Sequence, residues 1–76
     1  MRDFLLYVTR ALADHADDIR VTEIAGHQTS ILEIRCHPRD LGRLIGRSGK
    51  TVGALRTLAS HMASRQGRRC VLEVAE

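Results

Sequence analysis

The sequence contains Asp40-Leu41-Gly42-Arg43-Leu44-Ile45-Gly46-Arg47-Ser48-Gly49-Lys50-Thr51-Val52, which places a Gly-x-x-Gly turn between two segments with helical spacing of apolar residues. Gly46 and Gly49 lack side chains that would keep a ligand away. Glycine also permits positive φ, so backbone N–H groups can point outward where the following helix begins. Arg43, Arg47 and Lys50 add positive charge beside these donors. The turn therefore has the features needed to hold a phosphodiester backbone.

Helices are predicted on both sides of this turn. Pro38 suits the first turn of a helix because it lacks an N–H group that would find no partner there, so residues 38 to 45 are predicted to form a short helix. From Lys50 to the pair Gln66-Gly67 the spacing of apolar residues predicts a longer helix. Its apolar residues are Val52, Leu55, Leu58, Ala59, Met62 and Ala63.

The rest of the chain predicts one more helix and three strands. Residues 2 to 14 form an amphipathic pattern. Residues 19 to 25 and 30 to 36 have the β-branched enrichment of strands, and the short polar link between them favours an antiparallel hairpin. Residues 68 to 74 alternate in polarity and predict a last strand. The apolar stripe of the first helix consists of Phe4, Leu5, Val8, Ala11 and Leu12.

This order predicts a two-layer α+β domain, α-β-β-α-α-β, that occupies residues 1 to 76 as a single unit. A right-handed crossover through the two later helices makes the last strand parallel to the second, with the helices on one face of a three-stranded mixed sheet. Cys36 and Cys70 then lie at opposite ends of the sheet, too far apart for a disulfide.

Charge is distributed unevenly along the chain. The net charge of +3 combines −3 over residues 1 to 34, +8 over residues 35 to 69 and −2 over residues 70 to 76. The pI near 9.5 and the basic segment around the glycine turn are typical of a protein that binds a polyanion. A solvated, arginine-rich surface without a ligand is the alternative that charge alone leaves open.

Several classes of function are not expected. A chain of 76 residues has little room for an enclosed catalytic cavity. It has no apolar run of bilayer length and no signal peptide, so a cytoplasmic location is expected. The cysteines lack the spacing of zinc or redox sites, so neither a metal nor another cofactor is expected. No catalysis is expected from the scattered histidines His15, His27, His37 and His61.

Gly46-Arg47-Ser48-Gly49-Lys50-Thr51 is similar to the end of a phosphate-binding P-loop. That motif requires a glycine at position 44, where this chain has Leu44. The segment also follows a predicted helix, whereas a P-loop follows a strand. Nucleotide hydrolysis is therefore not expected.

The element order and the glycine motif together resemble the type II KH domain, an RNA-binding module whose Gly-x-x-Gly loop clamps about four nucleotides. More narrowly, the chain is similar to the bacterial family of stand-alone small KH proteins of the KhpA type. The resemblance covers almost the whole chain. One departure is Ala16, which follows Asp14-His15 where that family often has proline. The matching segments are residues 40 to 51, Ala54-Leu55-Arg56-Thr57-Leu58 and Val71-Leu72-Glu73-Val74.

The resemblance implies a set of RNA-binding residues. Gly46 and Gly49 would shape the loop, Arg47 and Ser48 would face phosphates, and Lys50 and Thr51 would begin the helix behind it. Arg43 would flank the groove, and Ile45 and Val52 would lie near its apolar floor, although both also suit a purely structural core role. Possible outer phosphate contacts, for which a solvated surface role is the alternative, are Arg39, Arg56, Arg68 and Arg69.

The aromatic residues test the choice of RNA-binding fold independently of the glycine motif. Only Phe4 and Tyr7 are present, and both lie in the first helix. Domains that stack bases on aromatic side chains need them on the binding surface, so the composition favours a KH domain over an RRM or OB fold. The resemblance further implies single-stranded RNA as ligand and a homodimer or pairing with a larger KH-containing RNA-binding protein. A protein-interaction module, with the sheet or the first helix as dimer surface, is the alternative function.

Overall fold

Three α-helices and three strands follow one another in the order α-β-β-α-α-β in the computed structural model, which describes all residues from Met1 to Glu76. This order confirms the predicted α+β type II KH architecture. Single-turn 3-10 helices lie before β1, α2 and α3, at Ala16–Asp18, Pro38–Asp40 and Arg47–Gly49. The main elements are α1 (Arg2–Leu12), β1 (Arg20–Ala25), β2 (Thr29–Arg35), α2 (Leu41–Ile45), α3 (Lys50–Ser64) and β3 (Arg69–Ala75).

The sheet has the strand order β1-β2-β3. β1 runs antiparallel to β2, with Val21 opposite Ile34, and β3 runs parallel to β2, with Leu72 opposite Leu32. The parallel pairing of the last two strands confirms the prediction from the two-helix crossover. β3 is consequently an edge strand, and its outer side lies next to α3.

The two cysteines lie at opposite ends of the sheet. Cys70 pairs with Ser30 at the start of β3, whereas the amide of Cys36 donates to the Ala75 carbonyl at the other end, at 3.1 Å. Both thiols are free, as the predicted topology requires. Burial raises the pKa of both thiols above the usual value, which keeps them protonated near neutral pH.

The helices cover one face of the sheet, and the core lies between the two layers. Along β2 the side chains alternate between buried and outward-facing, as the pleat of a strand dictates. The other face of the sheet is open. No helix of the protein combines the length and apolarity needed to cross a membrane. The largest apolar core residues are Leu5, Ile19, Leu32, Ile34, Leu44, Leu55 and Leu72.

The end of α1 differs from the prediction. The apolar spacing predicts a helix to residue 14, but the helix ends at Leu12 and Ala13 has extended geometry, with φ −84° and ψ 147°. The amides of Asp14 and His15 donate instead to the carboxylate of Asp40, at 3.0 and 2.9 Å. A side chain 26 and 25 residues further along the chain therefore takes the two N–H groups that a longer helix would have used.

The predicted apolar stripe of α1 is also partly wrong. The helix buries Leu5 and Thr9 completely, while Phe4 and Leu12 remain exposed. Thr9 can be buried because its hydroxyl donates to the Leu5 carbonyl at 2.7 Å, so its polar atom is satisfied within the helix. The buried face of α1 is thus rotated from the one that hydrophobicity alone indicates.

The remaining boundaries are close to prediction. β1 begins one residue later than expected, because the amide of Ile19 donates to the Ala16 carbonyl and closes the preceding 3-10 turn. β2 covers residues 29 to 35 in place of the predicted 30 to 36. The short helix predicted over residues 38 to 45 is divided into the 3-10 turn Pro38–Asp40 and α2. The predicted strand over residues 68 to 74 is β3.

Candidate nucleic-acid interface

The Gly46–Gly49 loop is a tight left-handed turn between α2 and α3. Positive φ occurs at Gly46 (80°), Ser48 (56°) and Gly49 (75°), and Ser48 is the only residue other than glycine with positive φ. A Cβ atom at Gly46 would lie 2.7 Å from the amide nitrogen of Thr51, whereas one at Gly49 would meet nothing within 4 Å. Gly46 is therefore required by both space and φ, and Gly49 by φ alone.

The loop leaves the beginning of α3 open. Gly49 is the N-cap residue and no side chain caps the helix, so its first-turn amides have no side-chain acceptor. Arg47, Ser48 and Lys50 are exposed. None of their side chains forms an ion pair or a hydrogen bond within the protein. Unpaired positive charge and a helix N-terminus thus lie together, an arrangement that favours an anion.

Arg43 lies beside this loop but is held by acidic groups. Its guanidinium donates to the Asp14 carboxylate at 2.9 Å, and its Nε lies 3.9 Å from the Asp40 carboxylate. The side chain stays half exposed, so it still presents donors to solvent. Its positive charge is partly neutralised, in contrast to that of Arg47.

Asp40 is the centre of a polar cluster that the sequence pattern does not reveal. An Asp just before a helix indicates an N-cap, but this side chain makes no cap and reaches the end of α1 instead. Burial acts to raise the pKa of this carboxyl, and the backbone hydrogen bonds from His15 and Asp14, with the His15 ring at 3.2 Å, outweigh it, so the pKa is lowered. The cluster fastens the end of α1 to the start of α2.

Two of the histidines belong to this cluster. The rings of His15 and His37 stack with centroids 4.0 Å apart, and Nδ1 of His37 accepts the amide of Arg39 at 3.0 Å, which caps the 3-10 turn. These contacts give both rings a structural role. No group of three or more His, Cys, Asp or Glu residues is arranged to hold a metal ion.

The two apolar candidates differ in exposure. Ile45 is 36% exposed at the end of α2, so it offers an apolar surface next to the loop. Val52 is 6% exposed and belongs to the core cluster. Only Ile45 is accessible to a ligand in this conformation, and the burial of Val52 favours the purely structural role for that residue.

The four outer arginines divide into two pairs. Arg68 donates to the carbonyls of residues 26, 27 and 29 and to the Ser30 hydroxyl, at 2.9 to 3.3 Å, which fastens the β1–β2 hairpin. Arg56 donates through Nε to the Leu72 carbonyl at 3.2 Å. The side chains of Arg39 and Arg69 are exposed and have no partner in the protein.

A groove runs along the edge of the sheet between α3 and β3. One part has a volume of about 370 Å³ and the adjoining part about 580 Å³. Ser60 lies in both parts and was not among the predicted site residues. The signal for it was the polar i, i+4, i+8 spacing of Arg56, Ser60 and Ser64 on α3. The first part is lined by Arg56, Ser60, Cys70, Val71, Leu72 and Glu73.

Comparison with known proteins gives the family. The family model described as KhpA/KhpB, KH domain, matches residues 2–74. The RNA-binding protein KhpA of Aquifex aeolicus is 38% identical over 76 residues, covering 100% of this chain and 96% of that protein. KhpA of Leifsonia xyli is 44% identical over 72 residues (95% and 92%), and KhpA of Chlamydia pneumoniae 38% over 76 residues (100% and 97%). No solved structure matches significantly. The chain therefore belongs to the KhpA/KhpB family of KH-domain proteins.

Proposed function

We propose that this protein binds single-stranded RNA in the cytoplasm by clamping the RNA backbone with its Gly46–Gly49 loop. The observation that carries the proposal is the uncapped start of α3 beside the unpaired charges of Arg47 and Lys50. Its relatives bear the name RNA-binding protein, and the family consists of binding proteins rather than enzymes. The loop geometry supports the proposal that this activity lies at the Gly46–Gly49 loop.

The clamp acts through charge and backbone donors. A phosphate at the start of α3 would face first-turn amides and the positive end of the helix dipole, while Arg47 and Lys50 approach from the sides. Each phosphate neutralised on a single strand contributes about 0.7 to the slope of log affinity against log salt. Binding should therefore be modest and sensitive to salt.

Bases would lie along Ile45 and the groove between α3 and β3. No aromatic side chain lines this groove, so base stacking on aromatic rings contributes nothing there. A backbone clamp beside a short groove with a mixed polar and apolar lining discriminates weakly among sequences. A single copy is therefore expected to hold a few nucleotides with low specificity.

Such a protein suits a dimeric RNA chaperone or a post-transcriptional regulator, because two weak sites joined in one dimer bind a strand more tightly than either alone. The second candidate is an accessory subunit of a larger KH-containing RNA-binding protein. The observation that favours it is the family description, which includes KhpB together with KhpA. In that case the partner would supply further RNA contacts.

The test is fluorescence anisotropy of a labelled single-stranded RNA at two salt concentrations, with the double variant Arg47→Asp/Ser48→Asp. Asp tolerates the left-handed conformation of residue 48, so the fold should persist, which circular dichroism checks. The matched control, Arg10→Asp/Ala11→Asp, makes the same change in net charge on exposed positions of α1. Loss of binding in the loop variant alone supports the clamp. Equal losses in both variants would mean a general attraction of RNA to positive charge and would overturn it.

A further inference from the structure

Lys50 is the only lysine of the chain, because every other residue among its 12 lysines and arginines is an arginine. A guanidinium stays charged and does not react with ordinary acyl donors, whereas a lysine amine is readily acylated and then loses its charge. The basic surface therefore contains a single side chain whose charge acyl transfer can remove.

The position of Lys50 makes this charge a part of the proposed clamp. Lys50 is the first residue of α3 and directly follows the Gly46–Gly49 loop. Its side chain is exposed, and its amine forms no ion pair or hydrogen bond within the protein. Nothing in the fold covers or engages this amine, so a reagent in solution can reach it.

The surroundings of the amine favour one class of acyl donor. Arg47 is likewise exposed and unpaired, and the first-turn amides of α3 have no side-chain acceptor. The proposed function assigns these groups to a phosphate of the RNA backbone. An acyl phosphate presents the same kind of phosphate group with a reactive acyl carbon attached to it. A donor held by its phosphate would have this carbon close to the Lys50 amine, and such proximity accelerates a reaction.

We propose that Lys50 is an acylation site for small acyl phosphates and that its acylation weakens the RNA clamp. This inference rests on the proposed function, because the phosphate of the donor occupies the position that the clamp gives to an RNA phosphate. An acyl donor without a phosphate gains nothing from Arg47, so it should show no preference for this amine.

The reaction is an ordinary acyl transfer. The unprotonated amine of Lys50 attacks the acyl carbon, and a C–N bond forms. The bond from that carbon to the phosphate oxygen breaks, inorganic phosphate leaves with the electron pair, and the amine gives up one proton to water. The product is a neutral amide, and the step needs no oxidant or reductant.

Acylation removes one of the two unpaired positive charges of the clamp. Loss of one phosphate contact on a single strand lowers the salt slope by about 0.7, which corresponds to about fivefold lower affinity at about 0.1 M salt. Arg47 keeps its charge, so binding is weakened and not abolished. RNA in the clamp should in turn protect Lys50 from acylation, because the two ligands exclude each other.

The first test measures acetylation of the full chain by acetyl phosphate with mass spectrometry. The α-amino group of Met1, at the start of α1 beside β1, is the second amine of the chain and serves as the internal reference. N-hydroxysuccinimide acetate, which carries no phosphate, is the matched reagent. The ratio of Lys50 to Met1 acetylation should be about tenfold higher with acetyl phosphate than with this ester. Equal ratios with the two reagents would overturn the proposal.

A pair of variants tests whether Arg47 directs the reaction. Arg47→Ala should slow the acetylation of Lys50 about fivefold with acetyl phosphate but not with the ester, because only the former is held by its charge. Arg10→Ala removes an exposed, unpaired arginine from α1 and should leave the rate at Lys50 unchanged with both reagents. Circular dichroism checks that both variants are folded. Equal rates with acetyl phosphate in wild type and Arg47→Ala would contradict a phosphate-directed reaction.

The effect on RNA is measured by fluorescence anisotropy before and after treatment with acetyl phosphate. Wild type should lose about fivefold in affinity at about 0.1 M salt, whereas Lys50→Arg keeps a charge that cannot be acetylated and should not change. Acetylated wild type that binds RNA as tightly as before would refute the effect on the clamp. A failure of the clamp itself would appear differently, as unchanged RNA binding in Arg47→Asp/Ser48→Asp. An intact clamp with unselective acetylation of Lys50 would refute this inference alone.

Discussion

Two charged regions lie at the two ends of α2, and they use their charges differently. Asp40 at its beginning and Arg43 in its middle are paired with groups that directly follow α1. At its end, Arg47 and Lys50 have no partner in the protein. The first region holds the fold together, and the second is free to meet a ligand. The number of arginines in a segment therefore says less about binding than whether the fold has already neutralised them.

The largest expected effect comes from breaking the paired region with Asp40→Asn. The amide side chain has lost the charge that holds Arg43 and the His15 ring, and only one of its terminal atoms can accept the amides of Asp14 and His15. We expect this variant to lose more thermal stability than any single substitution in the loop, measured by circular dichroism melting. At temperatures where the variant is folded, its RNA affinity should stay within about threefold of wild type, a difference of about 0.65 kcal/mol. A stable variant that has lost RNA binding would contradict the division between the two regions.

The next largest expected effect is the loss of stability when either glycine of the loop is replaced by alanine, and this loss should differ between the two positions. Gly46→Ala adds a Cβ atom against Thr51 at a positive φ and should cost about 3 kcal/mol of unfolding free energy. Gly49→Ala meets only the φ penalty and should cost about 1 kcal/mol. Urea unfolding measures both values. Similar costs for the two variants would show that the loop moves aside to accommodate the new atom.

Acid should weaken the paired region. The pKa of Asp40 is lowered in the folded protein from its usual value of 3.8, so its contribution to stability is complete above that value and is lost as the pH falls below it, towards the folded pKa. Urea unfolding at pH 7 and pH 3 should therefore show a difference between wild type and Asp40→Asn that shrinks at the lower pH. A difference that is constant across this range would mean that the carboxylate charge contributes nothing.

The smallest expected effects are the changes in the salt dependence of RNA binding when Arg47 or Arg43 is replaced by alanine. Arg47→Ala should lower the salt slope of RNA binding by about 0.7, because one phosphate contact is removed. Arg43→Ala should change the slope less, because Asp14 and Asp40 already neutralise part of its charge, and should cost up to about 1 kcal/mol of stability. Anisotropy titrations at several salt concentrations measure the slopes. Equal slope changes for the two variants would mean that Arg43 contacts phosphate as fully as Arg47 does, despite its pairing with Asp14 and Asp40.

Local patterns were sufficient to predict most of the fold. The helical spacing after Lys50, the break at Pro38 and the polar hairpin link each depend on residues close together in the chain, and the parallel pairing of β3 followed from the crossover rule. The end of α1 could not be predicted, because the Asp40 carboxylate that terminates it comes from the far side of the hairpin. Thr9 lies on the buried face of α1, where the pattern predicts an apolar residue. Its burial depends on a hydrogen bond from its hydroxyl to the Leu5 carbonyl, which the spacing of apolar residues does not reveal.

The candidate site shows the same limit. The glycines and the basic residues of the loop were identified from their order in the sequence, and the structure places them together at the start of α3. The roles of Arg56 and Arg68 depend on which carbonyls the fold brings within reach of a guanidinium. Burial of Val52, but not of Ile45, likewise depends on how α2 and α3 meet the sheet. Sequence spacing alone does not contain this information.

The bond from Arg56 to the Leu72 carbonyl has a consequence for how the protein behaves at high concentration. β3 is an edge strand, and the free carbonyls and amides of such a strand invite another strand to add to the sheet. A guanidinium already bonded to one of these carbonyls occupies an acceptor that an incoming strand would need, and it places a positive charge on the line of approach. We therefore expect Arg56 to disfavour the addition of a further strand along this edge.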